Sequence, residues 1–482
     1  MEAAQAVTRL LVGPFNRVEG DLEIALDIAD RRVESARVAA PLYRGFEHIL
    51  EGRPPGDALV IAPRICGICS ISHSVAASRA LAAAAGIEPE ENGRRATDLV
   101  LAAENVADHL THFALFFMPD FARPVYSGRL WHGEAVARFR ATAGGASARL
   151  VAARARFLHL VGALAGKWPH SLAIQPGGTT ASIDLGGRVR LSGILSEFRQ
   201  VLETHLFGAA LERVAALDGP EGLAPWLGDG PESRSDFGLF LTISRDLDLA
   251  GLGRWDGPLM SFGAFDGLFP AGLWADGPQA LDMGAIAEDL SHAWMAGETR
   301  HPARGITRPD ADKAGAYSWC KAPRLSGRPV EVGALARQMM AGQPLVRALA
   351  AGGSGVEARV VARLVEIARL VLAMEGWVRD LRPGQPFCRD MPPLTDTDGA
   401  VAGLVEAARG GLGHWLTIRR GRIHRYQIVA PTTWNFSPRD AAGVPGPLEQ
   451  ALVGTPAGDA PDPVAVQHVV RSFDPCMACT VH

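Results

Sequence analysis

Cysteine is scarce in this chain, with six among 482 residues. Four of them fall into two Cys-x-x-Cys pairs, Cys66/Cys69 and Cys476/Cys479, leaving only Cys320 and Cys388. That distribution excludes a disulfide framework, and the two remaining thiols read as small buried hydrophobes. Charge of one sign is also missing. The net charge is −4, with acidic and basic residues well mixed, so the clustered Lys/Arg of a nucleic-acid footprint is absent. Met1-Glu2-Ala3-Ala4-Gln5 lacks the basic and apolar regions of a secretory signal. No run of about 20 apolar residues marks a membrane span, and no low-complexity linker divides the chain. These absences predict no membrane span and no export address of the chain's own, hence a cytoplasmic location unless it travels with an exported partner.

Hydrophobic residues make up 48% of the chain, enough for a large core. Leu22, Ile24 and Leu26 alternate with polar or small residues, so residues 7–40 are expected to form a small hairpin or sheet. From Ser72 to Ala85 the alanine-rich stretch predicts a helix capped by Ser70 or Ser72. Cys69 then lies beside a helix N-terminus, where the dipole favours thiolate. Apolar residues at helical spacing predict long helices over 95–117, 133–166, 193–217 and 347–381. Gly/Pro/Trp-rich segments at 219–238 and 251–277 read as long surface loops with a few short strands, and 316–323 and 421–430 as strands. The expected class is α+β, mainly α: a large helical-bundle domain with small peripheral β-sheets, spanning 1–482 as one unit.

The chemistry is concentrated at the two cysteine pairs. Two thiols three positions apart reach one metal ion together, and two such pairs supply four soft thiolates, which select Zn, Fe or Ni over Mg or Ca. A thioredoxin-like redox pair and a structural four-thiolate zinc site are the alternatives on spacing alone. Zinc pairs usually lie roughly 15–20 residues apart, whereas these are separated by almost the whole chain. A site closing across that distance reads as a deeply placed centre.

Arg64-Ile65-Cys66-Gly67-Ile68-Cys69 with His73, and Asp474-Pro475-Cys476-x-x-Cys479-x-x-His482, resemble the two signatures of nickel–iron hydrogenase large subunits. Arg17-Val-Glu-Gly20, Arg44-Gly-Phe-Glu47, Asp108-His109, His170 with Gly177-Gly178, Lys321-Ala-Pro-Arg324, Glu331-Val-Gly333, Gly410 to Trp415 and Pro431-Thr-Thr-Trp-Asn435 resemble further blocks in family order. The resemblance implies that Cys66 and Cys476 are terminal nickel ligands and that Cys69 and Cys479 bridge to iron, in a Ni–Fe(CN)2(CO) centre. It implies Cys476 as the base that takes a proton from H2 and Glu19 as the carboxylate that relays it outward. Arg409 is similar to a guanidinium over the iron side, with Asp108 and Asp474 as acidic neighbours. Ala408 stands where the family usually has proline. Pro431 and Thr432 resemble the pair lining the diatomic ligands. His73 and His109 are expected to be supporting or buried structural histidines. Glu47, the carbonyl of Ile428 and His482 resemble ligands of a structural Mg2+ or Fe2+.

Electrons from such a centre must leave through iron–sulfur clusters, and each usually needs four cysteines. Cys320 and Cys388 cannot supply them, so an iron–sulfur small subunit is expected as partner. Ile68 and Phe116 stand where the family commonly has valine and leucine beside the gas channel. With the chain end at His482 they resemble the cytoplasmic regulatory, H2-sensing branch, which would also need a signalling partner such as a histidine kinase. An energy-conserving uptake enzyme is the alternative.

Overall fold

The first sheet already shows how alternation becomes burial. In the computed structural model, which describes residues 8–395, 397–458 and 463–480, Thr8–Val12, Glu23–Ala29 and Arg32–Ala39 form an antiparallel meander. Ile24, Leu26, Val33, Ala36 and Val38 point inward from it and are fully buried.

Two long helices form the centre. Glu91–Thr111 buries Ala96, Leu99, Val100, Ala103, Val106, Ala107 and Leu110, the three-and-four spacing of one helix face. Val356–Asp380 buries Val360, Val361, Leu364, Ile367, Ala368 and Val371 in the same way. The expected 347–381 helix is interrupted because Gly352 and Gly353 follow the short helix Pro344–Leu349, and Gly353 takes φ +101°. The expected 95–117 helix ends in a π-helical turn over His112–Phe117. The stretch 133–166 breaks into His132–Phe139, Gly145–Phe157 and His159–Ala165. A Cβ at Gly144 would lie 2.2 Å from the Arg138 carbonyl oxygen, so only glycine lets the chain turn back there.

Leu259–Ala264 and Phe269–Trp274, short strands within the loop-rich 251–277 segment, pair as a hairpin. Glu331–Val332 adds to it in parallel, giving one four-stranded sheet with Pro278–Gln279. Of the expected 316–323 strand only Ala322 and Pro323 lie in one, Ala322–Leu325, which pairs with Ile286–Asp289. Gly399–Ala407, Gly410–Arg419 and Arg422–Val429 make a three-stranded meander. This last sheet carries the helix Ser70–Ala85 across Gly403. A Cβ at Gly403 would fall 1.8 Å from the Ala76 carbonyl oxygen, so the missing side chain sets how closely helix and strand approach. Among the described residues no helix is long and apolar enough to cross a membrane.

Candidate metal centre

Both ends of the chain converge on one buried point. Ala62–Ile65 is a tight helical turn that leaves Cys66 extended, and Cys69 then occupies the N-cap of Ser70–Ala85. The C-terminal segment is pinned from two sides. Glu19 and Cys476 pair as a short parallel bridge, with the Glu19 carbonyl accepting from Met477 N at 2.7 Å. Gly20 follows at φ +82°, where a Cβ would meet Ala478 N at 2.7 Å, so glycine is required for the two strands to touch. Arg44 completes the clamp, donating to the carbonyls of Ile65 and Ala478 and tying the two pairs together.

The four sulfurs lie within 4.8 Å of one another and are buried. Sγ of Cys66 is 3.5 Å from that of Cys476, and Sγ of Cys69 is 3.1 Å from that of Cys479. Four thiolates packed this closely, away from water, repel each other unless a cation is shared among them. Such a donor set fits a soft transition metal. Cys320 is buried elsewhere and Cys388 lies half-buried outside the cluster.

Asp474 adopts φ +57°, a left-handed conformation uncommon outside glycine. It presents both its carbonyl oxygen and its carboxylate to Arg409, at 2.9 and 3.0 Å. Arg409 also donates to Asp108, and all three side chains are buried. The guanidinium is therefore forked between two carboxylates, a rigid arrangement lysine could not reproduce. Among the described residues Asp108 Oδ1 and Asp474 Oδ2 have no hydrogen-bond partner, which leaves acceptor lone pairs for bound water or ligand. Burial pushes the Asp108 carboxyl up to about 7 against the pull of Arg409. Glu19 is likewise raised, by burial first and then by the Cys66 thiolate. Behind Arg409, the fully buried Arg337 donates to the carbonyls of Ala407 and Ala408 and is neutralised by Glu366 and Glu406. That network sets the backbone from which Arg409 projects.

Cys69, His73, Ala407, Ala408, Arg409, Leu412, Pro431, Thr432, Cys476 and Cys479 line a narrow cleft over the sulfurs. Thr432 Oγ1 accepts from Cys476 N at 3.1 Å, so its own proton remains to be donated. Ile68 and Phe116 are half-buried and do not line this cleft. His109 bonds to Glu366 at 3.0 Å instead. His73 belongs to a buried chain that sequence reasoning missed. Its Nδ1 lies 3.0 Å from Nε2 of His414, whose Nδ1 lies 2.8 Å from the Tyr426 hydroxyl. Burial keeps that hydroxyl protonated. A donating tyrosine leaves His414 Nε2–H to donate to His73 Nδ1, and His73 then carries its proton on Nε2.

Glu47 lies in a different setting. Its carboxylate accepts from Ile428 N at 2.8 Å, from Thr307 Oγ1 and from Lys321 Nζ at 3.3 Å. Lys321 is shared with Glu288 and Gln427. The positive charge that meets Glu47 is thus a cation of the chain itself, Lys321, and Ile428 presents its N–H. His482 lies outside the described residues.

A family model described as nickel-dependent hydrogenase matches residues 44–126 and 265–482, which include all four cysteines. The chain belongs to the nickel-dependent hydrogenase family. It is 30% identical to the periplasmic [NiFeSe] hydrogenase large subunit of Desulfomicrobium baculatum, covering 100% of this chain and 96% of that one. It is 29% identical to the Hydrogenase-2 large chain of Escherichia coli K12, with 98% and 97% covered. The Ni-Fe-Se hydrogenase of Desulfovibrio vulgaris Hildenborough superposes with a TM-score of 0.84 at 28% identity, over 99% of this hydrogenase chain and 100% of that one. The expected mainly helical α+β architecture with small peripheral sheets is that of the family. The cytoplasmic location is overturned: a relative matching the whole chain is a periplasmic enzyme. The zinc and thioredoxin-like alternatives fall away with the family assignment.

Proposed function

We propose that the chain, as a single large-subunit domain over 1–482, holds a Ni–Fe(CN)2(CO) centre and splits H2 heterolytically as a catalytic, uptake-type hydrogenase. The observation that carries this is four buried sulfurs within 4.8 Å, brought together from opposite ends of a chain that matches hydrogenase large subunits throughout. When bound, such a centre supplies the acceptor for the hydride half of H2.

The protein's part is the other half and the surroundings. Cys66 and Cys476 would hold nickel, and Cys69 and Cys479 would hold nickel and iron together. Cys476 Sγ takes the proton. Glu19, fixed beside it by the backbone bridge, receives that proton and passes it outward, and its raised affinity suits a group that must hold and release. Arg409, braced by Asp108 and Asp474, and Pro431 with Thr432 fill the cleft on the iron side and keep bulk water out. Thr432 Oγ1 would be free to donate its proton to a cyanide ligand. Glu47, the Ile428 carbonyl and His482 would hold a second, hard cation, Mg2+ or Fe2+, which would take the place of Lys321 Nζ against Glu47. Electrons pass to clusters in an iron–sulfur small subunit, since the chain has no second group of cysteines to hold one among the described residues.

A sensing role keeps one observation of its own, the bulky pair Ile68 and Phe116, and would require a kinase or similar signalling partner. H2-dependent dye reduction by the purified heterodimer separates the two readings. Turnover of tens per second or more supports the catalytic one, and turnover slower than about one per second supports the sensor. No H2-dependent reduction at all in nickel-loaded protein would contradict both.

A further inference from the structure

Cys69 occupies the N-cap of the helix Ser70–Ala85 but forms no side-chain cap hydrogen bond. An N-cap side chain ordinarily accepts from the second or third backbone N–H of its helix. Here the thiol is turned away, with Sγ 3.1 Å from that of Cys479, so its function as a ligand removes the cap. The amides of Ile71 and Ser72, at those two positions, are buried with the rest of the first turn. Left unpaired, each would carry the desolvation cost of a buried donor.

They are not unpaired. Glu104, on the neighbouring helix Glu91–Thr111, accepts from Ile71 N through Oε2 and from Ser72 N through Oε1, both at 2.8 Å. The Ser72 hydroxyl donates to Oε1 at 2.8 Å and Trp168 Nε1 to Oε2 at 3.3 Å. The carboxyl is buried. Burial pushes it up to about 8 while these four bonds pull it down, and both of its forms keep lone pairs on each oxygen for the two amides.

We propose that Glu104 is a positioning residue for Cys69: a cap supplied from another helix, replacing the one the metal ligand cannot provide and fixing the turn from which its thiolate reaches the metals. This rests on the reading of Cys69 as a metal ligand. The caps of Ile71 and Ser72 need two acceptors side by side, which glutamine lacks. In Glu104→Gln the amide oxygen satisfies one N–H and the amide nitrogen confronts the other, donor against donor.

The test compares parent, Glu104→Gln and Trp168→Phe heterodimers by infrared spectroscopy of the CO and cyanide stretches, together with nickel content. Trp168→Phe removes one donor to the same carboxyl and leaves both caps, so it controls for general loosening. The expected result is bands displaced or broadened beyond the parent line width in Glu104→Gln and unchanged in Trp168→Phe. Identical bands in parent and Glu104→Gln would overturn the proposal, even if the melting temperature fell. Should Glu104→Gln accumulate without nickel, amide exchange by mass spectrometry decides. Loss of protection confined to the first turn after Cys69, relative to metal-free parent, supports the cap. Unchanged protection there, or equal loss along residues 91–111, overturns it. A parent that itself lacks nickel and CO or cyanide bands would instead defeat the ligand assignment beneath it.

Discussion

Serine in place of a cysteine ligand keeps the shape of the side chain but replaces a soft, acidic donor by a hard, far less acidic one. At Cys66, Cys69, Cys476 or Cys479 that change is predicted to abolish nickel retention and H2 activity, measured by metal analysis and dye reduction. Cys320→Ser and Cys388→Ser, outside the sulfur cluster, are predicted to keep nickel. Full nickel content in Cys476→Ser would refute the ligand set. Glu19→Gln preserves the backbone bridge to Cys476 but cannot carry a proton. Its H/D exchange rate is predicted to fall at least ten-fold, about 1.4 kcal/mol of barrier, with the metals in place; a rate equal to the parent's would mean that the proton leaves by another route. Tyr426→Phe removes the hydroxyl that pairs with His414 Nδ1 in the chain from Tyr426 through His414 to His73. Losing one buried hydrogen bond costs about 0.5–1.5 kcal/mol, so the melting temperature is expected to fall while nickel stays bound. The cysteines, Glu19, Arg409, Asp108 and Asp474 were legible in the sequence because each sits in a short block of recognisable spacing. Glu104, His414 and Tyr426 were not, because their partners lie on other elements and no local pattern marks them.

At the scale of elements, legibility followed periodicity. The Ser70–Ala85 and Glu91–Thr111 helices stood out by their apolar spacing, and the N-terminal meander by its alternation. The strands Gly399–Ala407 and Gly410–Arg419 did not, since Gly399, Gly403, Gly410, Gly411 and Gly413 interrupt any β-like run. One of those glycines is there for contact. Gly403→Ala places a methyl 1.8 Å from the Ala76 carbonyl oxygen, and the helix that begins at Cys69 must shift. Overpacking of this kind costs about 1–3 kcal/mol, so a lower melting temperature and reduced nickel occupancy are expected together; unchanged values of both would show that the helix–strand contact is slack. The π-helical turn His112–Phe117 provides a pH test. Burial lowers the His112 imidazole to about 3, with its Nε2 bonded to the Arg471 carbonyl oxygen. Between its ordinary value near 6.5 and about 3 the unfolded chain binds a proton that the folded chain does not. The contribution is therefore complete above about pH 6.5 and is lost on acidification, by about 1.4 kcal/mol per unit. His112→Gln removes that titration, so the parent-minus-variant difference in unfolding free energy should shrink from pH 7 to pH 4; a constant difference would contradict the buried neutral imidazole.

Across the whole molecule, the centre closes only when the last residues of the chain reach Glu19 and Arg44 near its start. Metal loading and completion of the fold are thereby coupled, because the four sulfurs cannot lie within 4.8 Å until both ends are in place. The location of the protein was not legible in the chain, since the address of a complex can reside on the other subunit. The central claim is that these sulfurs hold a nickel–iron centre with diatomic ligands. Metal analysis combined with infrared spectroscopy of the purified heterodimer tests it most directly. The account predicts one nickel per large subunit, iron beyond that of the partner's clusters, and one CO and two cyanide stretches. Zinc in the four-sulfur site with no such bands would contradict it.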